Sequence, residues 1–439
     1  MKIIVAMSAL GAGFFALSYF IFPALTQFDY VAVGMGKTDK KDIEPQIEEK
    51  VKDEREVVPH IPLPVPVRAV YMTSCVAGTT DFRERLVRLV EETELNAIII
   101  DIKDYSGTIS FSPTADAWKP AWADARCGAR DMKEFIAELH ERGIFVIGRI
   151  TVFQDPFHAE RHPDLAVAKR SDGSVWHDRK GLSFIDVGAK EYWDHMVKLS
   201  IDSYNLGFDE LNFDYVRYPS DGNMQDIAFP QSMKGEYGND KQANLEAFFA
   251  YLSERLDDDS LFSAVRHENT GREKATPWTS VDLFGMTTTN TDDLSIGQVQ
   301  ERAAPYFDFV APMVYPSHYP KTYLGFNDPN NHPYEVVYHA MGEGVKRMTA
   351  TTTTVAGFMH ERIGTSTPAL YTKPAYTADR FRTWIQDFDY GGDYDAADVR
   401  AEIQASEDAG VMGYMLWAPS NIYTKEALRP AEETALVAE

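Results

Sequence analysis

The sequence predicts an α/β protein folded as a (β/α)8, or TIM, barrel behind an N-terminal membrane anchor or signal peptide and a disordered stalk. Three observations carry this expectation. From Val67 to Trp417, eight short apolar runs alternate with amphipathic, helix-like stretches, the pattern of a parallel sheet with crossover helices. One of these runs, Phe208–Val216, alternates with period two, setting Glu210, Asn212 and Asp214 on one face and Asp209, Leu211, Phe213 and Tyr215 on the other. Finally, 439 residues with 44% hydrophobic and 12% aromatic content suffice for one large barrel or two ordinary domains.

Taken in order, Lys2 precedes an uncharged run, Ile3–Leu25, long enough to span a bilayer. It lacks the short apolar core and small-residue cleavage site of a secretory leader. An uncleaved anchor over residues 1–25 is therefore expected, with a cleaved signal peptide as the alternative; either places the rest outside the cytoplasm. Residues 26–66 read as a linker, because Lys37–Glu56 is charged and free of aromatics and His60–Pro66 is proline-rich. The barrel domain is expected over 67–425, followed by an acidic tail at 426–439.

Within the barrel, Val67–Tyr71 reads as the first strand, and Asp81 as the cap of a helix carrying Phe82, Leu86, Leu89 and Val90. Asn96–Ile102 is the second strand and Ile144–Ile150 the third, separated by a helix over Asp131–Arg142 that Gly143 stops. A long connection, Thr151–Gly188, follows; connections of that length in a compact domain usually carry function. A helix over Ala189–Asn205 leads to the fourth strand, and another over Asn244–Leu256 follows it. Val281–Met286, Phe309–Tyr315, Phe381–Phe388 and Gly410–Trp417 complete the eight.

Charge and motifs exclude several classes. A net charge of −24 and a pI near 4.9 argue against nucleic acid and anionic membrane surfaces as ligands. Cys75 and Cys127 form no CxxC pair, which disfavours zinc and leaves a single disulfide open to them outside the cytosol. There is no GxSxG nucleophile elbow and no HExxH motif.

Six blocks make the sequence recognisable: ELNAIIIDIKDYSGTISF (Glu94–Phe111), GIFVIGRITVFQDP (Gly143–Pro156), GFDELNFDYVRYP (Gly207–Pro219), APMVYPSHY (Ala311–Tyr319), TWIQDF (Thr383–Phe388) and GYMLWAPSNIYT (Gly413–Thr424). In this order they resemble the bacterial putative glycoside hydrolase domain family, long catalogued as a domain of unknown function. The resemblance implies a glycosidase-like barrel acting on a polysaccharide or oligosaccharide. A more distant similarity is to chitinase-type barrels with a DxxDxDxE run on the fourth strand. Asp209, Asn212 and Asp214 fall at its first three acidic positions, but Val216 stands where the catalytic glutamate belongs.

Asp214, near the carboxyl end of the fourth strand, is thus the expected nucleophile or charge-stabilising carboxylate. Glycoside hydrolysis needs a second carboxyl group. Glu210 lies about 13 Å down the same strand and is expected to fill the barrel beside a cation. Asp101 has the better geometry, on a strand of the same parity, with Lys103 on its face and Arg149 on the strand between; a structural Asp101–Arg149 salt bridge is the alternative. Nearby cations should lower the Asp101 pKa, whereas Trp384, Ile385 and Phe388 around Asp387 should raise that one. Lys103, Arg149 and Arg217 are expected substrate contacts. Trp176, Tyr315, Tyr319 and Trp417 are candidate sugar-stacking faces, and His318 and His360 rim residues, with His318 placed at the substrate. The reading includes no cofactor and no metal, although Asp101, Glu210 and Asp214 could in principle hold a hard divalent cation. Oligomeric state is left open. The competing reading is a non-catalytic carbohydrate-binding or envelope-organising barrel.

Overall fold

The computed structural model describes residues 55–269 and 274–431. Eight parallel strands close into a barrel: β1 (Arg68–Met72), β2 (Ala97–Lys103), β3 (Phe145–Thr151), β4 (Glu210–Asp214), β5 (Trp278–Phe284), β6 (Phe309–Met313), β7 (Arg382–Gln386) and β8 (Gly413–Trp417). Each pairs with its neighbours in chain order, and β8 closes on β1 through Leu416 opposite Val70. All eight expected strands form. The fifth begins three residues earlier than its apolar run suggests, because Trp278, Thr279 and Ser280 continue the ladder opposite β4.

Among the helices between them are α1 (Thr80–Glu92), α2 (Met132–Glu141), α3 (Lys190–Tyr204), α4 (Lys241–Leu256), α5 (Gln300–Ala303), α6 (Pro333–Thr349) and α7 (Ala396–Asp408). Their apolar stripes cover the outside of the barrel: Leu86, Val87, Leu89 and Val90 of α1 and Phe135, Ile136 and Leu139 of α2 are all buried. The N-cap of α1 is Thr79, not Asp81; Asp81 lies in the first turn, where a negative charge still favours the helix dipole. Helix α4 starts earlier than its apolar stripe, since the Asp240 side chain accepts the Ala243 N–H at 3.0 Å.

Inside the barrel the lower layer is apolar, with Ala69, Ala97, Ile99, Phe145, Ile147, Ala311 and Met415. It also contains a fully buried ion pair. Arg382 Nη1 lies 2.6 Å from both oxygens of Glu210, Ser280 Oγ donates to Glu210 at 2.7 Å, and the guanidinium covers the Phe309 ring at 3.6 Å. Glu210 is therefore barrel filling with a cation, as its depth on the strand required. The polar column continues upward as Asn212 Nδ2 donates to Ser280 Oγ at 3.0 Å and to Asp282 Oδ1 at 2.8 Å.

One region differs from the sequence reading. Residues 57–66, assigned by composition to the linker, pack against the amino-terminal end of the barrel. Val57–His60 pairs in parallel with Arg266–Asn269, buried His60 stacks on Tyr204 at 4.1 Å, and the Ile61 N–H donates to Asp209 Oδ1 at 3.0 Å. Proline-rich composition signals a backbone poor in donors; it does not forbid packing of the intervening apolar side chains. The anchor or signal at 1–25, the remainder of the linker to residue 54 and the tail from 432 lie outside the described residues. Among the described residues no helix is long and apolar enough to cross a membrane.

Cys75 and Cys127 form a disulfide across 52 residues, tying α2's approach loop to the segment after β1. Closing a loop of that length restricts the unfolded chain by about 4 kcal/mol. Replacing both cysteines with serine is expected to lower unfolding free energy by about 2–4 kcal/mol in urea melts. An unchanged midpoint would show the crosslink to be energetically idle.

Candidate active site

The barrel opens at the carboxyl ends of its strands into a cleft of two joined lobes. The larger, about 630 Å³, is bounded by β1–β3 and the long connection after β3; the smaller, about 200 Å³, by β4–β8. Arg149, Tyr215, Arg217 and Trp417 line both lobes and so mark the junction.

Arg149 sits at the centre. Register sets it opposite Asp101 on β2, and its Nη1 donates to Asp101 Oδ1 at 2.8 Å. Its Nη2 donates to Asp214 Oδ2, and its Nε lies 3.9 Å from Asp282 Oδ2. The ladder that pairs Asn212 with Ser280 and Phe213 with Val281 brings Asp214 and Asp282 level on adjacent strands. Three carboxyl groups thus surround one cation. Tyr71 on β1 completes the set, its hydroxyl donating to Asp101 Oδ2 at 2.5 Å.

The electrostatics differ from expectation at Asp101. Asp214 is buried, at 5% exposure. Its Oδ1 accepts the Tyr215 N–H at 2.5 Å, and Tyr215 closes the strand with a left-handed backbone, φ 50°. Asp101 was expected to be lowered by cations. Burial instead raises its pKa to about 6, overriding Arg149 and the Tyr71 hydroxyl, because desolvation of a carboxylate at 3% exposure outweighs one shared guanidinium. Asp282 is raised well above the ordinary range by burial and then by the charge of Asp214. Its Oδ1 accepts from Asn212 and from Trp384 Nε1, both at 2.8 Å, while Oδ2 has no hydrogen-bond partner among the described residues. Asp282 is therefore a carboxyl with a raised pKa beside an ion-paired one.

The other expected site residues divide. Arg149, Asp101, Arg217, Tyr315, His318 and Trp417 all line the cleft. Tyr315 stacks on Trp417 at 5.2 Å, and His318 on Tyr390 at 5.7 Å; burial lowers the His318 pKa. Five others lie elsewhere. A bulge between Asp101 and Lys103 turns Lys103 out of the barrel, where Asp155 holds its ammonium at 3.0 Å and the Val152 carbonyl accepts from it at 3.2 Å. Trp176 is buried with Val167, Phe184 and Ile227 in the core of the long connection, its Nε1 donating to Asn223 O. Tyr319 is buried against the floor of Gly285. Asp387 has the raised pKa expected from burial, but its oxygens accept from the Thr424 N–H at 2.9 Å and hydroxyl at 2.7 Å, and it is not part of the cleft wall. His360 bonds the Val355 carbonyl on a separate hairpin.

Sequence reasoning missed Asp282, Tyr71, Tyr215 and Trp384. The available signal for Asp282 was its position: in TSVDLF, period two sets it with Ser280 on the inward face of β5. Among the described residues no group of three or more His, Cys, Asp or Glu side chains converges as a metal site; the cation among these carboxylates is Arg149.

A family profile for a domain described as "putative glycosyl hydrolase domain" matches residues 69–423, the whole barrel. The chain belongs to this family. No curated protein matches it in sequence. Its barrel is similar to that of the PgaB (BpsB) glycoside hydrolase domain from Bordetella bronchiseptica, at 11% identity over 85% of this chain and 99% of that one, with a TM-score of 0.53; at that identity the likeness is one of fold. Two weaker likenesses carry no argument. A hypothetical protein from Ruminiclostridium thermocellum is 28% identical over 46% of this chain and 96% of its own, with a TM-score of 0.39. The α-L-fucosidase isoenzyme 2 from Paenibacillus thiaminolyticus is 11% identical over 85% and 49%, with a TM-score of 0.48.

A carboxyl raised above its ordinary value holds its proton longer in the folded protein than in the unfolded chain. The stability associated with Asp101 is thus complete below the ordinary carboxylate range and lost as pH rises from about 4 to about 6. The loss is on the order of 3 kcal/mol. Urea melts across this range should show a negative slope that Asp101→Asn flattens; equal slopes in the two proteins would assign the titration elsewhere.

Proposed function

We propose that this barrel is a glycoside hydrolase in which Asp214 is the nucleophilic or charge-stabilising carboxylate and Asp282 the proton donor. The observation that carries the reading is the unequal state of two level carboxyl groups on β4 and β5. Asp214 is ion-paired with Arg149, while burial and the charge of its neighbour push the Asp282 pKa upward. Two carboxyl groups pushed apart in this way are what acid-assisted glycosidic cleavage uses.

In this reading Asp282 Oδ2, which makes no hydrogen bond among the described residues, gives its proton to the glycosidic oxygen as the bond to the anomeric carbon breaks. Asp214 meets the positive charge that develops on the ring. Asp101 and Tyr71 hold Arg149 so that it neither collapses onto one carboxylate nor leaves the cleft. Groups level on neighbouring strands stand about 5 Å apart, the spacing of retaining enzymes. The Tyr315–Trp417 pair beside them supplies an apolar face for a pyranose ring.

One observation favours a second reading, a barrel that binds glycan without cleaving it. Both oxygens of Asp214 are occupied, by Arg149 and by the Tyr215 N–H. We further place the barrel outside the cytoplasm, tethered by the apolar run at 1–25 or secreted; the disulfide supports an oxidising compartment.

A glycan panel with product analysis separates the readings, since binding without release of reducing ends sustains only the second. On a cleaved substrate, Asp214→Asn should abolish turnover while the variant still folds. Asp282→Asn should cost about 10²–10⁴ in kcat on a natural glycan and much less on an aryl glycoside, whose leaving group needs no proton. Equal losses on both substrates would remove Asp282 as the acid. Products followed by proton NMR should first appear with the anomeric configuration of the substrate; the inverted anomer would overturn the assigned pairing.

A further inference from the structure

Arg217 is the cation in the cleft that the proposed chemistry leaves unused. It extends from the segment after β4 and lines both lobes, at their junction. Both of its hydrogen bonds leave from Nη1, to Tyr218 O at 3.1 Å and Ser220 Oγ at 3.2 Å. The guanidinium lies 4.9 Å from the centroid of the Tyr215 ring. Among the described residues no carboxylate stands within ion-pair distance of it. Arg149, by contrast, is saturated by Asp101 and Asp214 with Asp282 beyond. Lys180, on the wall of the larger lobe, likewise has an ammonium without an ionic partner among the described residues.

In a chain of net charge −24, carboxylates are abundant, so an arginine without one in a cleft is informative. A partly buried guanidinium held on one edge, with its other edge free, is preorganised for bidentate contact with a planar anion. The larger lobe also carries Asp178 and Asp221. The Asp178 Oδ1 is taken by the Lys180 and Leu182 N–H groups of its own turn. Asp221 lines only the larger lobe, whereas Arg217 lines both, which leaves Arg217, among the described residues, as the cation without an ion pair that reaches the smaller lobe.

Resting on the glycosidase reading, we propose that the substrate is an acidic polysaccharide whose carboxylate, on a sugar unit adjoining the cleaved bond, is held by Arg217 with support from Lys180. The smaller lobe, below the roughly 300–1,000 Å³ of drug-sized sites, accommodates one ring beside Tyr315 and Trp417. Arg217 then faces the substituent of that ring or of its neighbour across the junction.

The test uses the full-length protein with polygalacturonate and alginate, each compared with its carboxyl-reduced form. Reducing-end release should be at least tenfold higher in kcat/KM on a carboxylated polymer than on its reduced counterpart. Arg217→Gln should collapse that ratio toward one, chiefly through KM, and Arg217→Lys should restore part of it. A carboxyl-reduced polymer cleaved as well as its parent, or an Arg217→Gln loss equal on both, overturns the proposal while leaving the glycosidase reading intact. If no polymer is cleaved, the glycan panel still decides the glycosidase reading, and calorimetric binding of the same pairs decides the role of Arg217. Carboxylate-dependent binding lost in Arg217→Gln supports it; binding without preference, or no binding to any of them, overturns it.

Discussion

One guanidinium shared among three buried carboxyl groups sets the character of this barrel. Arg149 can neutralise only one negative charge, and the site excludes most of the water that would screen the others. In such surroundings burial favours the neutral form and raises the pKa values of Asp101 and Asp282. The upward shifts at the mouth of the barrel are thus a consequence of stoichiometry as much as of local contacts. Deeper down the account is balanced differently: Arg382 and Glu210 meet one to one, and Ser280 and Asn212 link that neutral pair to Asp282. The acidic group is therefore braced from below by a column that carries no net charge.

Much of this was visible in the sequence, for reasons that can be stated. Period-two alternation in Phe208–Val216 correctly set Glu210, Asn212 and Asp214 inside, and strand parity correctly brought Asp101 and Asp214 to the same end of the barrel, with Arg149 on the strand between. Helices α6 and α7 were not read as elements, although they pack on each other and on the barrel. Lys103 was misplaced because a bulge shifts the pleat by one residue, and bulges leave no dependable mark in a strand-like run. Asp282 was overlooked because its neighbours Val281 and Leu283 made the run look like plain core.

The aromatic residues show a different limit. Trp176, Tyr315, Tyr319 and Trp417 are chemically equivalent candidates on paper, yet Tyr315 and Trp417 face the cleft while Trp176 and Tyr319 build the ground beneath it. Which way an aromatic ring turns at a loop depends on contacts far along the chain, such as the pairing of Ala168–Lys169 with Ile227–Ala228 that shapes the long connection. Local sequence carries no record of such partners. The same holds for Asp387, whose carboxyl is captured by Thr424 from the segment after β8.

Tyr215 illustrates how demands on a single position can conflict. Its left-handed backbone costs a side-chain-bearing residue about 1–2 kcal/mol that glycine would avoid. Selection for thermal tolerance alone would favour glycine there. Such a change would remove the ring that forms part of both lobes and lies beneath Arg217, and it would loosen the hinge that presents the backbone N–H to Asp214. At this residue, robustness of the fold and definition of the cleft pull toward different amino acids. Attempts to harden the protein by consensus or glycine substitution would meet that trade-off first at the end of the fourth strand.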